Sequence, residues 1–254
     1  MWEHLLVFAV VMGLFGLLAL AILWPTSRSG RRLLTRWDVP EPTRDEVDDA
    51  VRYLRRRRFW YPWLYFALAW TIDDTHLKGP EAGWRAPYLL VLLFGALIAE
   101  VLALRPARSR RRVAVLRPRQ LSDLVPTWAL ALLGIVAGVA LVLCVASLAG
   151  VPWARHWMLD VRFSVVALVV TVVSVPVVAL VVRLALRRPA DGDPRVDAAL
   201  RARSARVAVG LGIGTLGALL SGPTATVGWI VLVIALAGWI AVVSPARPAR
   251  VRVP

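Results

Sequence analysis

The sequence predicts an all-α protein, a polytopic bundle of about seven membrane-spanning helices with its N-terminus outside and its C-terminus in the cytoplasm. Three observations predict it. Apolar residues make up 59% of the 254-residue chain and come in long blocks. The charges sit almost wholly between the blocks, the pattern of segments solvated in turn by lipid tails and by water. Basic residues, finally, are concentrated on alternate connections, which is how membrane helices set their orientation.

The apolar blocks cover residues 5–24, 59–72, 86–104, 128–150, 163–182, 207–222 and 227–243. A helix rises 1.5 Å per residue, so about 20 residues cross a ~30 Å hydrocarbon core. Blocks 59–72 and 207–222 are short for that, but Arg57, Arg58 and Arg206 flank them. Snorkelling arginines lengthen a short span. Block 5–24 has no Lys or Arg before it and SRSGRR after it. That is the reverse of a signal peptide's polarity, so it reads as a retained helix.

Charge decides how many blocks cross. Seven spans leave in the cytoplasm ten arginines from Arg28 to Arg58, seven from Arg105 to Arg119, seven from Arg183 to Arg206, and three from Arg247 to Arg252. Only Lys78, Arg85, Arg155 and Arg162 stay outside. If block 59–72 did not cross, the second of those clusters would face outward, against the positive-inside rule. Trp24, Trp60, Trp84, Trp128, Trp153, Trp157 and Trp229 lie near block ends, at the headgroup depth that amphipathic rings prefer. The longest polar connection, residues 25–58, is too short to fold alone. The chain therefore reads as one integral membrane domain over residues 1–254 of a bacterial-type plasma membrane.

Two polar segments carry helix signals. Thr43 and Glu46 have capping-box spacing, and Val47, Ala50, Val51 and Leu54 form an apolar stripe over residues 44–58. Asp193 can cap, and Pro194 suits the first turn, of a second segment over residues 194–206 with Val196, Ala199 and Leu200 on one face. Both are expected to lie on the inner membrane surface, their arginines reaching anionic headgroups of the bilayer. VDDAVR (47–52) resembles VDAALR (196–201), each followed by two apolar blocks. An internal repeat and the chance consequence of a Val-, Ala- and Arg-rich composition both account for this.

Candidate functional residues are few. GIGTLG (212–217) matches the dinucleotide fingerprint, but it lies inside an apolar block with no acid after it, whereas the fingerprint needs a preceding strand and an acid about 20 residues on. Helix packing is the better reading: Gly210, Gly214, Ala218 and Gly222 recur every fourth residue, as do Gly134 and Gly138. Packing within the chain is expected for both sets.

Glu100 is the one acid inside a block. A buried carboxylate pairs, protonates or serves function. A pair with an arginine at the inner end is expected, with Arg105 nearest in sequence, and ion or proton coupling is the alternative. Asp73, Asp74, His76, His156 and Asp160 fall on the predicted outer side. They are weak candidates for acid–base work, at no recognised metal-ligand spacing, and no metal or cofactor is expected. Cys144, the sole cysteine, sits in a block and reads as a small hydrophobe. The net charge of +15 would suit nucleic acid, but the basic runs flank apolar spans, and nucleic-acid binding is not expected.

These features lead to the expectation of a non-enzymatic membrane component: a permease-like or transport-associated subunit, or an accessory protein, with a possible membrane or ATPase partner. An outer-face enzyme acting on a lipid-linked or envelope substrate, and a membrane sensor, are the alternatives.

Overall fold

A computed structural model describes residues 10, 13–14, 16–18, 20–74, 86–103, 112–113, 120–158, 161–187, 190–191, 193–221 and 225–244. Beyond a first helical stretch that ends at Leu23, the elements are α1 (Ser27–Arg36), α2 (Arg44–Asp74), α3 (Ala86–Ala103), β1 (Arg112–Val113), α4 (Leu121–Leu124), α5 (Thr127–Leu148), α6 (Pro152–Met158), α7 (Val161–Arg187), β2 (Ala190–Asp191), α8 (Pro194–Leu220) and α9 (Ala225–Val243). The fold is helical, as the block pattern requires. The all-α reading omits one detail: β1 and β2 pair antiparallel, with Arg112 opposite Asp191.

Local chemistry starts α2 and α8 where the caps fall in the sequence. The Thr43 amide donates to Glu46 Oε2 at 2.7 Å, and the Glu46 amide donates back to Thr43 Oγ1. Asp193 Oδ1 accepts from the amides of Arg195 and Val196, with Pro194 at the first helical position. Neither helix stops where the polar pattern gives way to the apolar one. Residues 44–58 and 59–72 form a single helix, α2, and residues 194–206 and 207–220 form another, α8. α2 and α7 continue through Pro62 and Pro176.

Among the described residues, three helices are long and apolar enough to cross a membrane: α5, α7 and residues 226–243 of α9. Residues 89–103 of α3 form a shorter apolar helix. Many large side chains of the three long helices point outward, among them Ile135 and Val142 on α5, Val169 and Val172 on α7, and Val233 and Ile234 on α9, each more than half exposed. So wide an apolar girdle is not a surface that water tolerates on a monomer, and a lipid environment accounts for it.

The girdle surrounds α8. From Val207 to Ser221 every residue of this helix is buried. It packs against α3, α5, α7 and α9 at once. A helix enclosed on all sides needs small residues where its neighbours approach, and GIGTLG supplies them. A methyl group at Gly210 would strike the Trp239 ring of α9. One at Gly212 would lie 2.9 Å from Val178 of α7 and 3.1 Å from Leu133 of α5, and one at Gly214 would lie 3.4 Å from Leu93 of α3. At Gly217 it would collide with Ala235 of α9. Ala218 is fully buried, and Gly222 lies outside the described residues. The second glycine pair behaves differently. Among the described residues, a methyl at Gly134 or Gly138 would meet nothing within 4 Å, so the described neighbours do not supply the packing expected for that pair.

A second, separate apolar cluster closes the arginine-rich end of the bundle. Leu34 of α1, Val39, Val47, Ala50 and Val51 of α2, and Val196 and Ala199 of α8 are buried together, with Trp37 and Leu200 at the edge. α1 reaches α2 at Gly30, where a methyl would lie 2.8 Å from Val51 Cγ2 and 2.9 Å from the Val47 carbonyl oxygen. The two apolar stripes predicted to rest on lipid therefore face one another inside the protein. The correction has a simple cause: two helices with complementary stripes, brought side by side by the bundle, bury more apolar surface in contact than flat on a headgroup layer.

Candidate functional site

Glu100 lies one turn from the end of α3 and is fully buried. α2 passes beside it and presents Tyr53, Arg57 and Tyr61, four residues apart and so on one face. α8 supplies Arg203 and Ser204. The Tyr53 hydroxyl donates to Glu100 Oε1, and Ser204 Oγ donates to the same oxygen at 2.6 Å. Arg57 Nε lies 2.6 Å from Oε2. Arg203 Nη1 donates to the Tyr53 oxygen at 2.9 Å, and its guanidinium lies 5.3 Å from the Tyr53 ring centroid. The Arg57 guanidinium is 5.4 Å from the Tyr61 centroid.

This is the ion pair that a lone buried acid requires, made with Arg57 across helices; Arg105, the nearer arginine in sequence, lies outside the described residues. One carboxylate thereby ties α2, α3 and α8 together. Burial, and then the Glu100 charge, push the Tyr53 phenol well above its ordinary value. Tyr53 therefore remains a donor to the carboxylate throughout the neutral range. Glu100 Oε1 receives both Tyr53 and Ser204 while Oε2 is ion-paired with Arg57, an arrangement suited to fixing helices.

Compared with known proteins, the chain matches no family model, no curated protein and no solved structure. The site must be read from its own chemistry.

Around the Glu100 cluster, arginines of α2 and α8 meet the carboxyl ends of helices. Arg58 donates to the Leu23 carbonyl, and Arg201 donates to that of Ala185 at 3.1 Å while pairing with Asp197 at 2.6 Å. Arg206 donates to the carbonyls of Leu124 and Ser244 and lies over the Trp37 ring. Cations at helix C-termini satisfy orphan carbonyls and complement the helix dipole. At the opposite end of the bundle α6 does the same, with Arg155 donating to the Ser147 carbonyl and Trp157 to that of Leu220. Ser147 and Ser164 share a buried hydrogen bond of 2.7 Å nearby, joining α5 to α7.

The Asp/His set is not assembled among the described residues. Asp73 and Asp74 end α2, with only their backbone described; His156 is exposed on α6; His76 and Asp160 lie outside the described residues. No group of three or more His, Cys, Asp or Glu able to hold a metal occurs among the described residues. Cys144 is free and buried in α5.

Sequence reasoning found Glu100 but missed Tyr53, Arg57 and Ser204 as its partners, and Arg203 bound to Tyr53. A signal was present in the Tyr53–Arg57–Tyr61 spacing, hidden within the run Arg55–Arg58, which reads as a topology determinant wherever it occurs.

Proposed function

We propose that the chain is a multi-pass protein of the bacterial plasma membrane, with seven spans, its N-terminus outside and its arginine-rich end in the cytoplasm. On this reading it is a non-enzymatic component of a membrane assembly, permease-like or accessory to transport. The observation that carries the reading is the pairing of an apolar girdle around α5, α7 and α9 with an internal scaffold built from buried glycines and the buried ion pairs Arg57–Glu100 and Arg201–Asp197. Tyr53, Ser204 and Arg57 are engaged with Glu100, and Arg201 and Arg206 with helix ends, an arrangement suited to a scaffold.

The reading gives α1 and the exposed face of α2 a role in contact with other proteins. α1 carries Arg28, Arg31, Arg32 and Arg36 beside an open basic depression of about 480 Å³. An acidic surface on a cytoplasmic subunit, such as a transport ATPase, complements it. Gentle extraction from the native membrane should recover the protein with a partner in fixed ratio. Charge reversal at Arg31 and Arg32, which leaves the buried cluster of Leu34, Val47 and Val51 untouched, should release that partner. Recovery of the wild-type protein alone, as a monomer or homo-oligomer, contradicts the subunit reading.

A further inference from the structure

A cavity of about 260 Å³ opens beside the Glu100 cluster, lined by Leu23, Leu54, Arg57, Arg58, Tyr61 and Arg203. Three guanidinium groups share its wall, and the only acid in contact with any of them among the described residues is Glu100, which Arg57 occupies. Arg58 and Arg203 each use one N–H on a neutral oxygen, the Leu23 carbonyl and the Tyr53 hydroxyl. A guanidinium has five such donors in a planar fork, so most of their donor capacity remains uncommitted. Burial first, and then the neighbouring Arg57 and Arg203 charges against the support of Tyr61, lower the affinity of Arg58 for its proton. Among the described residues, Arg58 and Arg203 are thus held beside Arg57 with no acid of their own in contact. Leu23, Leu54 and the Tyr61 ring form the apolar side of the same cavity, and Leu23 is itself nearly half exposed, so the cavity borders the outer surface of the bundle.

Position and chemistry agree. Arg57 and Arg58 stand where the arginine-rich part of α2 meets its apolar part at Phe59, the depth of lipid phosphates on the membrane-embedded reading, on which this inference rests. Basic pockets between helices at that depth receive anionic headgroups, and a guanidinium fork matches the oxygens of a phosphate bidentately.

We infer that this cavity is a binding site for a phosphate group, with Arg58 and Arg203 as its ligands and Leu23, Leu54 and Tyr61 as the wall for the apolar part of a phospholipid. Arg57 is the positioning residue: held by Glu100, it keeps the α2 face in register without being consumed as the counter-charge.

The test uses the full chain in nanodiscs of phosphatidylcholine with increasing phosphatidylglycerol, reading lipid retention by mass spectrometry and the unfolding temperature. Phosphatidylglycerol should be retained and should raise the unfolding temperature. The Arg58→Gln/Arg203→Gln variant should retain it roughly tenfold less well, the loss expected for removing charge-assisted hydrogen bonds. Arg58→Lys/Arg203→Lys, which keeps the charge but not the fork, should fall between, so a folding defect in the Gln variant does not end the test. Inorganic phosphate on detergent-solubilised protein separates the sources. If it raises the unfolding temperature in an arginine-dependent way while phosphatidylglycerol does not, the site takes a free phosphate. Equal behaviour in phosphatidylcholine and phosphatidylglycerol with no response to phosphate overturns the inference. A labelling result contrary to the proposed orientation would overturn the membrane reading instead, whatever the pocket binds.

Discussion

Arg57→Ala should be among the most damaging single substitutions in this chain, with a loss of about 3–5 kcal/mol, because it strands a buried carboxylate. Glu100 has no exposed surface, and its remaining partners, Tyr53 and Ser204, are neutral. The contrast with a paired replacement makes the prediction specific. In Arg57→Met/Glu100→Leu both charges disappear and apolar groups of similar size take their place, an exchange that is often neutral or better for buried ion pairs. Ser204 can turn its hydroxyl to its own helix backbone, and Tyr53 keeps Arg203. The double variant should recover most of the stability lost in Arg57→Ala, measured by thermal unfolding in mild detergent. If the two variants were equally damaged, the cost would lie in packing around Arg57, and the charge argument would fail.

Gly217→Leu should disrupt the bundle at its centre. Even a methyl group there collides with Ala235 of α9, and a leucine must push α8 and α9 apart along a contact that runs from Gly210 against Trp239 down to this point. Overpacking of a dense interior typically costs about 1–3 kcal/mol, and a misfit between two backbones is at the upper end or beyond it. Gly217→Ala should cost less, and adding Ala235→Gly should restore it by returning the lost volume from the other side. Gly134→Leu is the control, since that position opens onto free space, and its unfolding temperature should match wild type. A Gly217→Leu protein as stable as wild type would show that α8 and α9 are not in this contact.

Much of this architecture was legible in residue order alone, and the exceptions share a cause. Caps depend on neighbours in sequence, so Thr43–Glu46 and Asp193–Pro194 could be read directly. Hydropathy located α5, α7 and α9 because lipid solvation acts on each segment by itself. What sequence could not reveal were the choices made between segments. An amphipathic stripe presents the same pattern to lipid and to a second stripe, so the contact of Val47, Ala50 and Val51 with Val196 and Ala199 was invisible. Those residues are also the matched positions of VDDAVR and VDAALR, now side by side at the start of two helix pairs, α2–α3 and α8–α9. Glycine spacing likewise says that close approach is possible, not that a neighbour is there; among the described residues Gly210 and Gly214 have one, and Gly134 and Gly138 do not. The partner of Glu100 was hidden because arginine occurs here in three settings: flanking apolar blocks, capping helices and pairing with a buried acid.

The central claim is that this bundle spans the plasma membrane with its arginine-rich end inside, and accessibility of single cysteines tests it most directly. Cys144 is the sole native cysteine and is buried, so a Cys144→Ala background is silent. Into it go Ser27→Cys on α1, Ala198→Cys on α8 and His156→Cys on α6, all at exposed positions. With a membrane-impermeant maleimide on intact cells, the His156→Cys protein should label at once. The Ser27→Cys and Ala198→Cys proteins should label only after lysis. Labelling of all three in intact cells, or of Ser27→Cys and Ala198→Cys alone, would contradict the account.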